Sequence, residues 1–136
     1  MSRNPKSEAR EFAVQFLYQS ESERLFHFSE PHFQTFVQHL HVAPEIQPLV
    51  LELVRGTLDQ EAALDRTIQE ASSNWKLSRM SIVDRNVLRL ATYELTDTET
   101  PHRVVINEAI ELAKKFGSAE SARFVNGVLD RIAKTT

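Results

Sequence analysis

The sequence predicts an all-α protein of about six to seven helices, arranged as two small helical bundles that share one core. Three observations support this fold class. Only three glycines occur in 136 residues, apolar residues recur at helical spacing, and convincing two-residue alternation of the kind that marks a half-buried strand is missing. A chain of this length suits a single domain. We expect an N-terminal half at about residues 1–60 and a C-terminal half at about residues 61–136.

The first four helices are predicted from their apolar positions and from the residues that interrupt them. Helix one is expected at residues 6–19 and helix two at residues 31–41. Pro44 and Pro48 place the start of helix three, because proline is tolerated in a helix only in the first turn. A break is expected at residues 56–59, before helix four.

Helix five is predicted to be the central helix of the molecule. Apolar side chains cover nearly its whole circumference, which is typical of a buried helix. It is expected to begin at Ser81, which has capping-box spacing to Asp84. Pro101 then opens a final pair of helices. Gly117 lies where the first of them should end, and Ser118 can cap the second.

The amino-acid composition excludes several classes of protein. There are no cysteines, which excludes a disulfide scaffold, a cysteine-based zinc site and a cysteine nucleophile. The N-terminus lacks the apolar core of a signal peptide, and no apolar run approaches the roughly 18 residues of a membrane span. We therefore expect a cytoplasmic protein with no membrane partner.

The charge is unevenly distributed along the chain. The net charge is −3, but residues 1–18 carry +1, residues 19–102 carry −6 and residues 103–136 carry +2. If the two basic ends meet in the fold, they form a patch suited to a polyanion, and the acidic middle suits a basic protein. The alternative is ordinary variation over a solvated surface.

Helix one presents a candidate nucleic-acid contact. Arg10, Val14 and Tyr18 form a row that runs away from its core face, so Tyr18 is expected to be exposed. An aromatic ring beside an arginine can stack on a base while the cation contacts a phosphate. Arg3 and Lys6 extend the positive charge toward the N-terminus. The alternative is that Tyr18 packs against the neighbouring bundle.

The last helix offers further candidate contacts, which we expect to join Tyr18 and the cations of helix one in a single cationic, aromatic surface for unpaired nucleotides. Its outward residues are Glu120, Phe124, Gly127 and Arg131, and two lysines, Lys114 and Lys115, precede it. Phe124 lies at the edge of the apolar stripe, so it can belong to the core or stack on a base. Gly127 inside a helix costs about 1 kcal/mol relative to alanine, which indicates close backbone approach by a ligand or by another helix. The lysines can contact phosphate or simply favour the helix dipole.

Catalysis has little support in the sequence. His39 and His41 are two residues apart, a spacing that does not place them on one helical face for a metal ion. No phosphate-cradling glycine loop and no nucleophile–base motif is present. We therefore expect neither an enzyme nor a bound cofactor or metal.

Three segments carry a resemblance to a known family. NEAIELAKKFG (107–117) followed by SARFVNGVLDRIAK (121–134) resembles the C-terminal signature of the NusB family of bacterial transcription antitermination factors. EAREFAVQFLYQSE (8–21) is similar to the family's first helix, and LSRMSIVDRNVLRLATYEL (77–95) to the helix before the signature. The likeness covers nearly the whole chain apart from a weak stretch at about residues 20–50.

The resemblance implies an all-α fold with two helical halves and a role in RNA recognition. Family members bind single-stranded boxA RNA through an arginine-rich start of the first helix and nearby aromatics. By matching positions, Lys6, Arg10, Tyr18 and Phe124 inherit this role. The chain departs from the pattern, because KSEAR stands where relatives show a run of arginines. We therefore expect weaker intrinsic RNA affinity or more dependence on a partner.

The resemblance also implies protein partners. Arg79, Asp84 and Arg85 correspond to the surface that binds NusE, a protein of the small ribosomal subunit, although capping of helix five is the simpler role for Asp84. The expected function is antitermination on elongating RNA polymerase, for ribosomal RNA operons, with self-association into a homodimer as an option. The alternative is a non-enzymatic helical adaptor that binds proteins and has weak or no RNA affinity.

Overall fold

The computed structural model describes residues 4–136. Within that range the chain forms seven α-helices and one short 3-10 helix and contains no strand, so the all-α prediction is confirmed. The helices are α1 (Pro5–Ser22), α2 (Glu30–His39), α3 (Gln47–Asp59), α4 (Glu61–Ala71), the 3-10 helix (Leu77–Arg79), α5 (Ile82–Asp97), α6 (His102–Phe116) and α7 (Ala119–Lys134). None of these helices is long and apolar enough to cross a membrane.

Helix starts follow the residues expected to cap them. The Ser81 hydroxyl accepts a hydrogen bond from the Asp84 backbone N–H at 3.1 Å, and the Ser118 hydroxyl accepts one from the Ser121 N–H at 3.1 Å. Each cap satisfies a donor that the first turn leaves without a partner. Pro48 lies in the first turn of α3, where its missing N–H costs nothing.

Helix α5 is the centre of the molecule, as its apolar circumference predicts. It packs against α1, α3, α4, α6 and α7. The buried apolar side chains of both halves form one continuous cluster. Because α5 packs against both α1 and α7, it covers one face of each of these helices.

The break predicted at residues 56–59 is wrong. Helix α3 continues through Gly56 to Asp59, and the chain turns at Gln60. Gly56 is not a helix breaker here. The Tyr93 ring lies against its backbone, in the space that a Cβ atom at position 56 would occupy. The glycine therefore permits close packing of α3 on α5.

Arg85 and Arg89 on α5 do not form a solvated face. Arg89 is 8% exposed and its Nε donates to Asp65 Oδ1 on α4 at 2.7 Å. The same guanidinium donates to Glu21 Oε1 on α1 at 2.7 Å. Arg85 pairs with the same Glu21 carboxylate. This ion cluster joins α1, α4 and α5. Ion pairs as well as apolar contacts therefore hold these three helices together.

Candidate nucleic-acid interface

Arg10 does not lie on an exposed row, and this expectation is wrong. The residue is 4% exposed, and its guanidinium donates to both carboxylate oxygens of Glu94 at 2.8 and 2.9 Å. It also donates to Glu108 at 3.3 Å. Burial alone lowers the pKa of Arg10, but the hydrogen bond and charge of Glu94, with those of Glu108, raise the pKa above its usual value. The guanidinium therefore lies inside the protein, in ion pairs with two glutamates.

Tyr18 is exposed, as its position on α1 predicts, with 44% of its surface accessible. Its neighbour in the predicted row, Val14, is buried. Both line a cavity of about 640 Å³ between α1, α2 and the start of α5. Phe36, Val83 and Phe116 contribute apolar walls to this cavity, which we call the Tyr18 cavity.

Phe124 lies at a different place, beside an aromatic residue that the sequence did not single out. Its half-buried ring meets the ring of Trp75 edge to face, with 6.2 Å between ring centroids. Trp75 is 58% exposed. The two rings line a second cavity of about 770 Å³. An indole presented in this way offers a flat surface on which a base can stack.

Three cationic residues and one acidic residue, Glu70, line the same cavity as the aromatic pair. The residues that we call the Trp75–Phe124 face are Trp75, Arg123, Phe124, Gly127, Arg131 and Lys134, which all line the second cavity. The three cationic side chains belong to exposed residues. Arg131 also donates through Nε to the Ala71 carbonyl at 2.6 Å, which joins α7 to the end of α4. Positive charge beside stacking rings is the combination that single-stranded nucleic acid requires.

Gly127 lies on this face with no neighbour against it. A Cβ atom added at this position would have no side chain and no other helix within 4 Å. A tight helix–helix crossing, one of the two explanations for this glycine, is therefore excluded by the structure. Space remains for an external ligand to approach the backbone of α7.

The structure does not bring Tyr18 and Phe124 together, so the single aromatic surface expected from the two ends of the chain is wrong. The two rings line cavities that have no residue in common. Helix α1 packs on α3, α5 and α6, whereas α7 packs on α4, α5 and α6. Because different partners flank α1 and α7, their outward faces open in different places.

The other predicted RNA contacts are distributed around the molecule. Lys6 and Glu120 are exposed, and Arg3 lies outside the described residues. Lys115 is 54% exposed and pairs with Glu11 on α1 at 2.7 Å, while Lys114 pairs with a glutamate of its own helix. These lysines do not line the second cavity.

The predicted protein-partner residues have three different environments. Arg79 is exposed in the 3-10 helix. Asp84 is partly buried and its Oδ1 atom has no hydrogen-bond partner. Arg85 donates to the carbonyls of Leu77 and Met80 at 2.9 and 2.8 Å, in addition to its pairing with Glu21. The donors of Arg85 therefore hold the turn before α5 and join it to α1.

Trp75 is the residue that sequence reasoning missed. It stands in a polar connecting segment, SSNWK (72–76), where a large apolar residue has no helical stripe to join. This isolation of a large apolar residue was the feature of the sequence that could have identified Trp75. Its pairing with Phe124 depends on how α4 and α7 pack together, which no local pattern reports.

The all-α fold and the Trp75–Phe124 face define a small helical protein with a cationic, aromatic surface. Residues 7–134 match the model of the NusB family, and the chain belongs to the NusB family. It is similar to the transcription antitermination protein NusB of Anaeromyxobacter dehalogenans strain 2CP-1, at 47% identity over 130 residues, which cover 94% of this chain and 89% of the relative. The corresponding protein of Sorangium cellulosum is 46% identical over 131 residues, covering 95% and 91%.

Solved structures agree with this assignment. The fold superimposes on T. maritima NusB with a TM-score of 0.82 at 37% identity, covering 98% of this chain and 93% of that one. It matches a chain in the crystal structure of antitermination factors NusB and NusE in complex with dsRNA with a TM-score of 0.83 at 25% identity, covering 97% and 98%.

Proposed function

We propose that this protein is a transcription antitermination factor, a single cytoplasmic domain that binds boxA-type single-stranded RNA together with NusE. It acts on elongating RNA polymerase by recognition alone, with no catalytic step. The names of its relatives and the NusB–NusE–RNA structure that it resembles support this role. Ribosomal RNA operons are the proposed targets.

The observation that carries the RNA-binding part is the Trp75–Phe124 pair. The exposed indole supplies a stacking surface, the edge-to-face contact at 6.2 Å keeps it beside Phe124, and Arg123, Arg131 and Lys134 supply phosphate contacts. Unpaired bases suit this geometry, because only bases outside a duplex can place their faces on protein rings. Lys6 is proposed as an additional phosphate contact.

NusE is proposed to bind on a separate surface, at Arg79 and Asp84 around the start of α5. Asp84 lies in the first turn of α5, where its carboxylate supplies negative charge toward a basic protein. The Tyr18 cavity adjoins this surface through Val83. Tyr18 is therefore a candidate for contact with either partner.

Alanine substitutions in the aromatic pair provide the test. We expect Trp75→Ala and Phe124→Ala each to weaken binding of a boxA-like oligonucleotide roughly fivefold to 150-fold, because stacking is worth about 1–3 kcal/mol per base. Fluorescence anisotropy with labelled boxA-like and scrambled RNA, each with and without NusE, measures the effect. Tyr18→Ala, in the same assay, reports whether RNA extends to the Tyr18 cavity.

Phe26→Ala is the matched control, because Phe26 is also an exposed aromatic residue, at 51%, and lies between α1 and α2. It should bind RNA as the parent does. Unchanged RNA binding by both the Trp75 and Phe124 variants would refute the assignment of this face. Equal binding of boxA-like and scrambled RNA, unaffected by NusE, would favour the adaptor function instead.

A further inference from the structure

The segment that carries Trp75 is held by the side chain of Gln69. The Gln69 Nε2 group donates to the Trp75 carbonyl at 2.8 Å, and Gln69 Oε1 accepts from the Leu77 N–H at 2.9 Å. One amide from α4 therefore binds the backbone on the C-terminal side of Trp75 through both of its polar ends. A carboxylate or an apolar side chain cannot make both contacts.

The N-terminal side of the segment is fixed as well. The Trp75 N–H donates to the Ser72 carbonyl at 2.8 Å, and the Ser72 hydroxyl donates to the Ile68 carbonyl at 2.8 Å. Arg131 adds a contact from α7 to the Ala71 carbonyl. The backbone on both sides of the indole is thus tied to the end of α4, although Trp75 itself is largely in solvent.

We propose that Gln69 is a positioning residue that holds the Trp75 indole ready for stacking before RNA arrives. This inference rests on the proposed function, because it assumes that Trp75 contacts RNA bases. Its physical basis is preorganisation. An exposed aromatic side chain on a mobile segment must lose conformational entropy on binding, whereas a segment that is already held has lost it during folding.

Removal of the Gln69 side-chain amide tests this proposal. Gln69→Met keeps side-chain length and removes both hydrogen bonds. Trp75 is the single tryptophan of the chain, so its fluorescence anisotropy and acrylamide quenching report directly on the segment. We expect faster local motion and stronger quenching of Trp75, and about three- to tenfold weaker binding of a boxA-like oligonucleotide. Gln38→Met, at an exposed position on α2, should change neither property.

A double-mutant cycle separates positioning from a direct contact or a general loss of structure. In a Trp75→Ala background, Gln69→Met should have no further effect on RNA affinity, because it acts through the missing indole. Gln69→Glu, which keeps the acceptor for Leu77, should fall between the parent and Gln69→Met, and it replaces Gln69→Met if that variant does not fold.

Each outcome has a definite meaning. Unchanged Trp75 fluorescence in a folded Gln69 variant, or an equal loss of RNA affinity with and without Trp75, would overturn the positioning role. If Trp75→Ala weakens RNA binding and Gln69→Met does not, the positioning role alone fails. If Trp75→Ala binds RNA as the parent does, the proposed RNA face fails, and with it the role of Gln69.

Discussion

Gly127 lies in the middle of α7 with open space where a side chain would project. Glycine in a helix interior is less favourable than alanine by roughly 0.5–1 kcal/mol, because its backbone loses more freedom on folding. Nothing among the described residues uses the absence of a side chain at this position. No internal packing role therefore offsets the energetic cost of this glycine, and close approach of a ligand to the α7 backbone is the role that we propose for it.

We expect Gly127→Ala to stabilise the protein by about 0.5–1 kcal/mol and to weaken RNA binding, because a methyl group would keep the ligand from the backbone. Urea unfolding and RNA anisotropy measure the two effects. Gly56→Ala is the matched control with the opposite sign, since a Cβ atom there meets the Tyr93 ring and should destabilise. A destabilising Gly127→Ala would contradict this account.

At the scale of the elements, Arg10 joins α1 to two other helices. Its guanidinium forms a two-pronged contact with Glu94 on α5, which is 5% exposed at the side chain, and a longer one with Glu108 on α6. A buried pair of this kind does not add much stability relative to apolar packing. Loss of one partner is costly, however, because the other charge then remains buried alone.

Arg10→Met should therefore destabilise the protein by about 3–5 kcal/mol. Stability is lost because the Glu94 carboxylate remains buried without its cationic partner. Urea unfolding followed by circular dichroism measures this loss. Lys6→Met is the control on the same helix, at an exposed position, and should change stability little while it reduces the salt dependence of RNA binding. Parent-like stability of Arg10→Met would refute the structural role.

At the scale of the whole molecule, the ion cluster of α1, α4 and α5 couples folding to pH. Burial acts to raise the pKa of Glu21, but hydrogen bonds and charges from Arg85 and Arg89 outweigh it, and the pKa is lowered from 4.5. Burial raises the pKa of Glu61 above 4.5, despite the attraction of Arg89, and the charges of Asp65 and Glu21 add to the rise. Two carboxylates of one cluster thus influence stability in opposite directions.

The two carboxylates give opposite pH profiles. The stability that Glu21 contributes is fully present above pH 4.5 and is lost as the pH falls through its lowered folded pKa. The folded state binds the Glu61 proton more tightly than the unfolded state does. The stability that Glu61 contributes is therefore present at low pH and is lost as the pH rises above 4.5 through its raised folded pKa.

Unfolding free energies measured from pH 3 to 8 test whether the contributions of Glu21 and Glu61 to stability depend on pH in opposite directions. The stability difference between the parent and Glu21→Gln should shrink as the pH falls below about 4.5. For Glu61→Gln, the parent should become less stable relative to the variant as the pH rises above that value. The same pH trend for both variants would contradict the opposite pKa directions.

Local patterns predicted the helices well and the surfaces less well. The caps at Ser81 and Ser118 and the central place of α5 follow from residues within one helix. The exposure of Tyr18 follows from its angular position on α1. Arg10 belongs to a similar outward row and is buried, because carboxylates 84 and 98 residues further along the chain reach it.

The sequence by itself determined that the chain is all-α, that α5 is central, and that α7 carries Phe124 and Gly127 away from its core stripe. Tertiary structure decided that Arg10 and Arg85 face inward, that Trp75 joins Phe124, and that Tyr18 lies beside a different cavity. The physical reason is that helical periodicity fixes the angle at which each side chain leaves its own helix. Which other helix then covers that angle depends on packing between segments distant in the chain.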